Sequence, residues 1–318
     1  MTKKLFYISL CFFLTLSTFA QKKNRHFEKL IQKYDVATVL QTTSGSPEEF
    51  WHQLVRNHQG LADYTNALAR KKKTALNAEN DVMTALGLVE SEYSHLYVYN
   101  DSIIDDYTSK VSEDVMGTDV HKIRLHIAYG KTPNAFCTPR GDIYIYAPLL
   151  DRIDYDYKML YGICAHEVAH YYLRHTARQK WADEKHARKN RIWAGIAIGL
   201  NAVADVANAY TAGYTGQTYE SHLGEICQNI LADAEYDNQM FHFKYSREEE
   251  IEADIVAHRF LEFIGISPSY YAQALSALGT QSDYFYSNWS DHPTINYRVS
   301  FLNYLGERYP LHNKDNQQ

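Results

Sequence analysis

Cysteine, proline and positive charge are all scarce in this chain of 318 residues. It carries 4 cysteines, 7 prolines and a formal net charge of −6. Once the first twenty residues are set aside, Cys137, Cys164 and Cys227 remain, enough for at most one internal disulfide. That excludes a disulfide-stapled scaffold. The missing basic excess gives no support to a nucleic-acid partner, which needs a cationic face, so none is expected. Internal repeats and low-complexity stretches are absent too.

Long apolar runs are also rare. The first, Leu5 to Ala20, follows Lys3-Lys4 and ends at Thr18-Phe19-Ala20, before Gln21-Lys22-Lys23. A basic start, an apolar stretch and a small residue at the end read as a secretory signal, residues 1–20. The chain is therefore expected to be exported, periplasmic or extracellular; the alternative is an uncleaved N-terminal anchor. The second run, residues 192–213, is interrupted by Asn201, Asp205 and Asn208. Those interruptions argue against a membrane span and for a closely packed helix or a flap.

What the chain does have is a core. A 45% hydrophobic share over this length allows one large domain or two small ones. Residues 21–115 read as a helical N-terminal region: Phe27, Leu30, Ile31 and Tyr34 recur at helical spacing, as do Phe50, Trp51, Leu54 and Val55 after Ser46-Pro47. The basic stretch Arg70 to Lys73 is a solvated face, with loose association to an anionic membrane surface as the alternative. From Ile123 the period changes to two. Ile123, Leu125, Ile127 and Tyr129 alternate with polar or small residues, and Asp142 to Tyr146 follows the Pro139-Arg140-Gly141 turn. Two short strands and many helices predict an α+β, mostly helical fold with a small sheet. His126, on the first of these strands, reads as structural.

The centre of residues 116–318 is His166-Glu167-Val168-Ala169-His170. Histidines four apart on a helix share a face and can reach one metal ion. Glu167 follows the first histidine directly, beside the place of a metal-held water. A helix from about Asp154 is expected to run past His175, which would then face some 140° away from His170 and be structural. Cys164 reads as a small buried residue. Two histidines do not complete a catalytic site, since zinc takes three protein ligands. Glu250 is the best third candidate, because Glu250 and Asp254 stand four apart on one helix face. Asp254 can then accept the free ring N–H of a ligating histidine. Glu248, Glu249 and Glu252 are read as solvent-facing or capping residues.

His166 to His170, followed by Glu250-Ile251-Glu252-Ala253-Asp254, resembles the paired H-E-x-x-H and E-x-x-A-D signatures of the HtpX-like and CAAX prenyl endopeptidase metallopeptidases, the gluzincins of peptidase family M48. Asn134-Ala135-Phe136-Cys137-Thr138-Pro139-Arg140-Gly141 is similar to the family's N-A-F-A-x-P-G-G segment. Asp291-His292-Pro293 with Arg298 resembles its late H-P element. Arg140 departs from the family's glycine, and the membrane helices of the prenyl-protease branch are missing.

The resemblance implies a zincin-like fold whose small sheet has an edge strand flanking the metal helix. It implies one Zn2+ per chain on His166, His170 and Glu250, with Glu167 as general base and Asp254 orienting a ligand. His292 would be an oxyanion residue or an inhibitory latch, with Arg298 beside it. A polypeptide substrate would add as a strand along residues 142–147, with Asn134, Ile143, Tyr144 and Ile145 on that edge. The activity implied is endopeptidase action on exported or misfolded polypeptides. A zinc-holding, chaperone-like scaffold with the metal capped by His292 is the alternative; an intact Glu167 favours the enzyme.

Overall fold

The computed structural model describes residues 21–70, 102–128, 133, 135–138, 140–179, 181–182, 247–278 and 293–311. The apolar start of the chain, the run at 192–213, Asn134, Cys227, Ser246 and His292 lie outside them. In chain order the described elements are α1 (21–34), α2 (Pro47–Asn57), α3 (Gln59–Arg70), α4 (Ser102–Met116), β1 (Arg124–Ala128), β2 (Ala135–Cys137), β3 (Asp142–Tyr146) and α5 (Ala147–Arg152). They continue with α6 (Tyr157–Tyr172), α7 (175–179), α8 (247–263), α9 (Ser269–Ala277) and α10 (Ile295–Arg308). This is an α+β, mostly helical architecture with one small sheet.

The sheet order is β1-β3-β2, with β3 parallel to β1 and antiparallel to β2. This corrects the expectation for the substrate edge. Ile143, Tyr144 and Ile145 pair on both sides, with Leu125, His126 and Ile127 of β1 and with Cys137, Phe136 and Ala135 of β2. Their ladder groups are used up, so residues 143–145 cannot accept another strand. The strand that packs on α6 from an edge of the sheet is β2. Alternation could not reveal it, because three residues are too few to show a period.

Helix α6 is buried from Leu160 to Ala169 on all sides, which is why its sequence is apolar almost all round. Asp156 caps it by accepting from the Met159 N–H at 2.9 Å. The helix does not run past His175. It ends at Tyr172, and Arg174 takes a left-handed conformation, φ 53°, before α7 begins. Gly162 lets α9 lie directly on α6: a Cβ there would stand 2.6 Å from the Tyr271 Cβ.

The N-terminal helices share this core rather than sitting beside it. Trp51 of α2 stacks between Tyr172 and Phe260, with ring centroids 5.2 and 5.0 Å away, and its indole N–H donates to the Val115 carbonyl at 2.8 Å. Removing such a ring costs about 3–5 kcal/mol. Phe27 and Ile31 of α1 pack with Ile251, Ile255, Phe301 and Leu305. Just beyond α1, Asp35 takes two hydrogen bonds from Arg259, at 2.9 and 2.6 Å. Among the described residues no helix is long and apolar enough to cross a membrane.

Candidate metal centre

Helices α6 and α8 bring His166, His170 and Glu250 together. The two Nε2 atoms are 3.1 Å apart, and Glu250 places one oxygen 3.6 Å from His166 Nε2 and the other 3.4 Å from His170 Nε2. Ligand atoms held tetrahedrally at about 2.0–2.1 Å from one ion stand some 3.4 Å from each other. The three side chains therefore fit a single small ion, and they are the group able to hold one among the described residues.

Charge supports the same reading. Asp254 is fully buried behind His166, its Oδ1 3.1 Å from His166 Nδ1. Arg298 of α10 grips Asp254 with Nε at 2.9 Å and Nη2 at 2.6 Å, and its Nη1 reaches Glu250 at 3.4 Å. The Tyr271 hydroxyl donates to Asp254 at 2.6 Å. One guanidinium thus faces two buried carboxylates, and the pocket is short of positive charge. Burial works against a charged His166, but Asp254 and Glu250 outweigh it and raise its pKa to about 9. A dication would satisfy the same excess.

Glu167 differs from its acidic neighbours. It is buried, yet among the described residues no cation or hydrogen-bond donor holds its carboxylate. It lies close enough to Cys137 of β2 and to Cys164 for its charge, after burial, to push both thiols up. Both cysteines are free thiols, and neither joins the ligand group.

A family model for peptidase family M48 matches residues 107–305, well over half of the chain. The chain belongs to peptidase family M48. It is thus a peptidase, a hydrolase acting on polypeptide, built around a group that can bind a metal ion. No curated protein matches the chain. The match begins inside α4 and leaves α1 to α3 outside it.

Two readings from the sequence need correcting at this site. Arg298 is committed to Asp254, Tyr271 and Glu250, so it holds carboxylates and is not a group aimed at an oxyanion. Glu252 is neither solvent-facing nor a cap but buried, bonded to His175 at 3.0 Å and His58 at 2.8 Å. It stands about 200° round α8 from Glu250, yet that helix is enclosed on every side. His126 stays away from the centre, stacked on Tyr144 and 3.3 Å from Asp142. Sequence reasoning missed Tyr271 altogether. One tyrosine among 27 carries no signal until its partner is known.

Proposed function

We propose that this M48 peptidase is a zinc-dependent endopeptidase that cleaves exported or misfolded polypeptides. The observation that carries the reading is the His166, His170 and Glu250 group, at single-ion spacing, with the buried Glu167 next to His166 in sequence. One zinc ion per chain on these three side chains would supply Lewis acidity to a water and to the scissile carbonyl.

The chain's own residues do the rest. Asp254, 3.1 Å from His166 Nδ1, would hold the ring proton on that nitrogen and leave the Nε2 lone pair for the ion. Arg298 and Tyr271 keep Asp254 ionised and fixed; although burial opposes its charge, Arg298 and His166 hold its carboxyl below the usual range. Glu167 accepts a proton from the attacking water as the C–O bond forms and returns it to the amine nitrogen as the C–N bond breaks. An extended substrate adds along β2, where main-chain pairing holds it past Cys137 and Glu167 and discriminates little between side chains. His292 enters only through its resemblance to the family's late H-P element. Export rests on the Lys3-Lys4 start and the Leu5 to Ala20 run. N-terminal sequencing of secreted protein should read from Gln21; a mature chain still starting at Met1 overturns it.

The deciving test for the activity is cleavage of an unfolded polypeptide by wild type and Glu167→Gln. Wild type should cleave, and the variant should keep its zinc and lose about 10²–10⁴-fold in kcat. A zinc-loaded wild type that cleaves nothing favours the scaffold reading instead.

A further inference from the structure

The second ligand, His170, is backed by a chain of side chains that leaves the family-matched region. His170 Nδ1 lies 2.9 Å from His175 Nδ1. His175 Nε2 lies 3.0 Å from Glu252 Oε2, and Glu252 Oε1 lies 2.8 Å from His58 Nε2. His58 sits between α2 and α3, where its Nδ1 accepts the Leu61 N–H at 3.2 Å. Its backbone N–H bonds the Leu54 carbonyl at 3.0 Å. Arg178 Nη1 joins at Glu252 Oε2, 3.4 Å away, and also bonds the Leu173 carbonyl at 3.2 Å.

Both ends of this chain fix the direction of every bond. At the far end a backbone donor occupies His58 Nδ1, so the His58 proton sits on Nε2 and points at Glu252. At the near end His170 gives its Nε2 lone pair to the ion, so its proton sits on Nδ1 and points at His175. His175 must then accept through Nδ1 and donate through Nε2 to Glu252. No donor then meets a donor along the chain. The left-handed Arg174 makes the contact possible, because an unbroken helix would carry residue 175 about 140° round from His170.

We propose that His175, Glu252 and His58 form a hydrogen-bonded relay that fixes the tautomer and orientation of His170, so that the N-terminal helices help to set the metal affinity of a centre whose ligands all lie in the M48 region. His58, Glu252 and His175 are positioning residues; none touches substrate. The proposal rests on the zinc reading above.

The test compares the full-length wild type with His58→Ala, His58→Gln and a control, His52→Ala. His52 lies on α2, six residues before His58, but bonds Asp119, outside the relay. Zinc affinity is read by chelator competition, the ligand field by the visible spectrum of the cobalt-loaded protein, and folding by thermal melting. His58→Ala should weaken zinc binding about tenfold, the lower end for groups behind a ligand, and shift the cobalt bands. His58→Gln, which keeps an N–H donor, should recover both, and His52→Ala should change neither. The relay is overturned if His58→Ala lowers the melting temperature but leaves zinc affinity and cobalt bands alone. It is equally overturned if the glutamine variant fails like the alanine one, since His58 would then act through packing. A wild type that binds no zinc would sink the metal reading itself, a result separate from any difference among the variants.

Discussion

His166 and His170 stand one turn apart on α6, yet different kinds of group lie behind them. Behind His166 is an ionised carboxylate, Asp254, gripped by Arg298 and Tyr271. Behind His170 is a neutral imidazole, His175, with the carboxylate one step further on. Hydrogen bonds to ionised groups are roughly twice as strong as neutral ones. The first arrangement makes its ligand more basic as well as fixing it. The second mainly fixes orientation, and extends that control to helices outside the M48 match. One metal site can thus be built from a rigid ionic half and a softer half tied to the rest of the fold.

The largest effect should come from breaking the ionic half. Arg298→Met takes the guanidinium away from buried Asp254 and Glu250, a loss of about 3–5 kcal/mol. Urea unfolding of the metal-free protein would show it, and a change below 1 kcal/mol would mean that Asp254 is held mainly by Tyr271.

A third buried histidine sharpens the contrast. Among the described residues neither nitrogen of His258 has a hydrogen-bond partner; Glu262 is 3.8 Å away, Arg259 is adjacent and the ring presses on Gly306. Burial, then Arg259, lowers its pKa to about 3. A depressed folded-state value means that the unfolded chain takes up the proton first, so stability falls as pH drops below about 6.5. At pH 5 the cost is about 2 kcal/mol. His258→Leu should therefore raise the melting temperature more at pH 5 than at pH 7.5. An equal gain at both would place the proton elsewhere.

The smallest effect compares the two carboxylates. Asp254→Asn should weaken zinc binding about a hundredfold and Glu252→Gln about tenfold, because an imidazole stands between Glu252 and the ligand. Equal losses by chelator competition would erase the distinction between the halves.

Of the ionic half, His166 and Asp254 were legible in the sequence but their partners Arg298 and Tyr271 were not; of the softer half only His170 was, for physical reasons. His166 and His170, like Glu250 and Asp254, are four apart on single helices, and helical period alone puts each pair on one face. Glu252 falls between the members of its pair, where period assigns it to solvent; only the complete burial of α8 reverses that. Its partner His58 is 194 positions away. His175 depends on a left-handed residue that is arginine, where turn chemistry would look for glycine or asparagine. The sheet failed in the same way. Alternation located β3 but could not say that β3 lies in the middle, since strand order is set by long-range pairing. Composition and period did reach the helical core: the Phe50, Trp51, Leu54 spacing placed α2 before its partners were known.

The most direct test of the account is the zinc content and X-ray absorption spectrum of the purified full-length chain. The account predicts one zinc per chain, in a shell of two imidazole nitrogens and oxygen, with no sulfur despite two nearby thiols. Cysteine sulfur in the shell, or a chain that takes up no zinc, would contradict it.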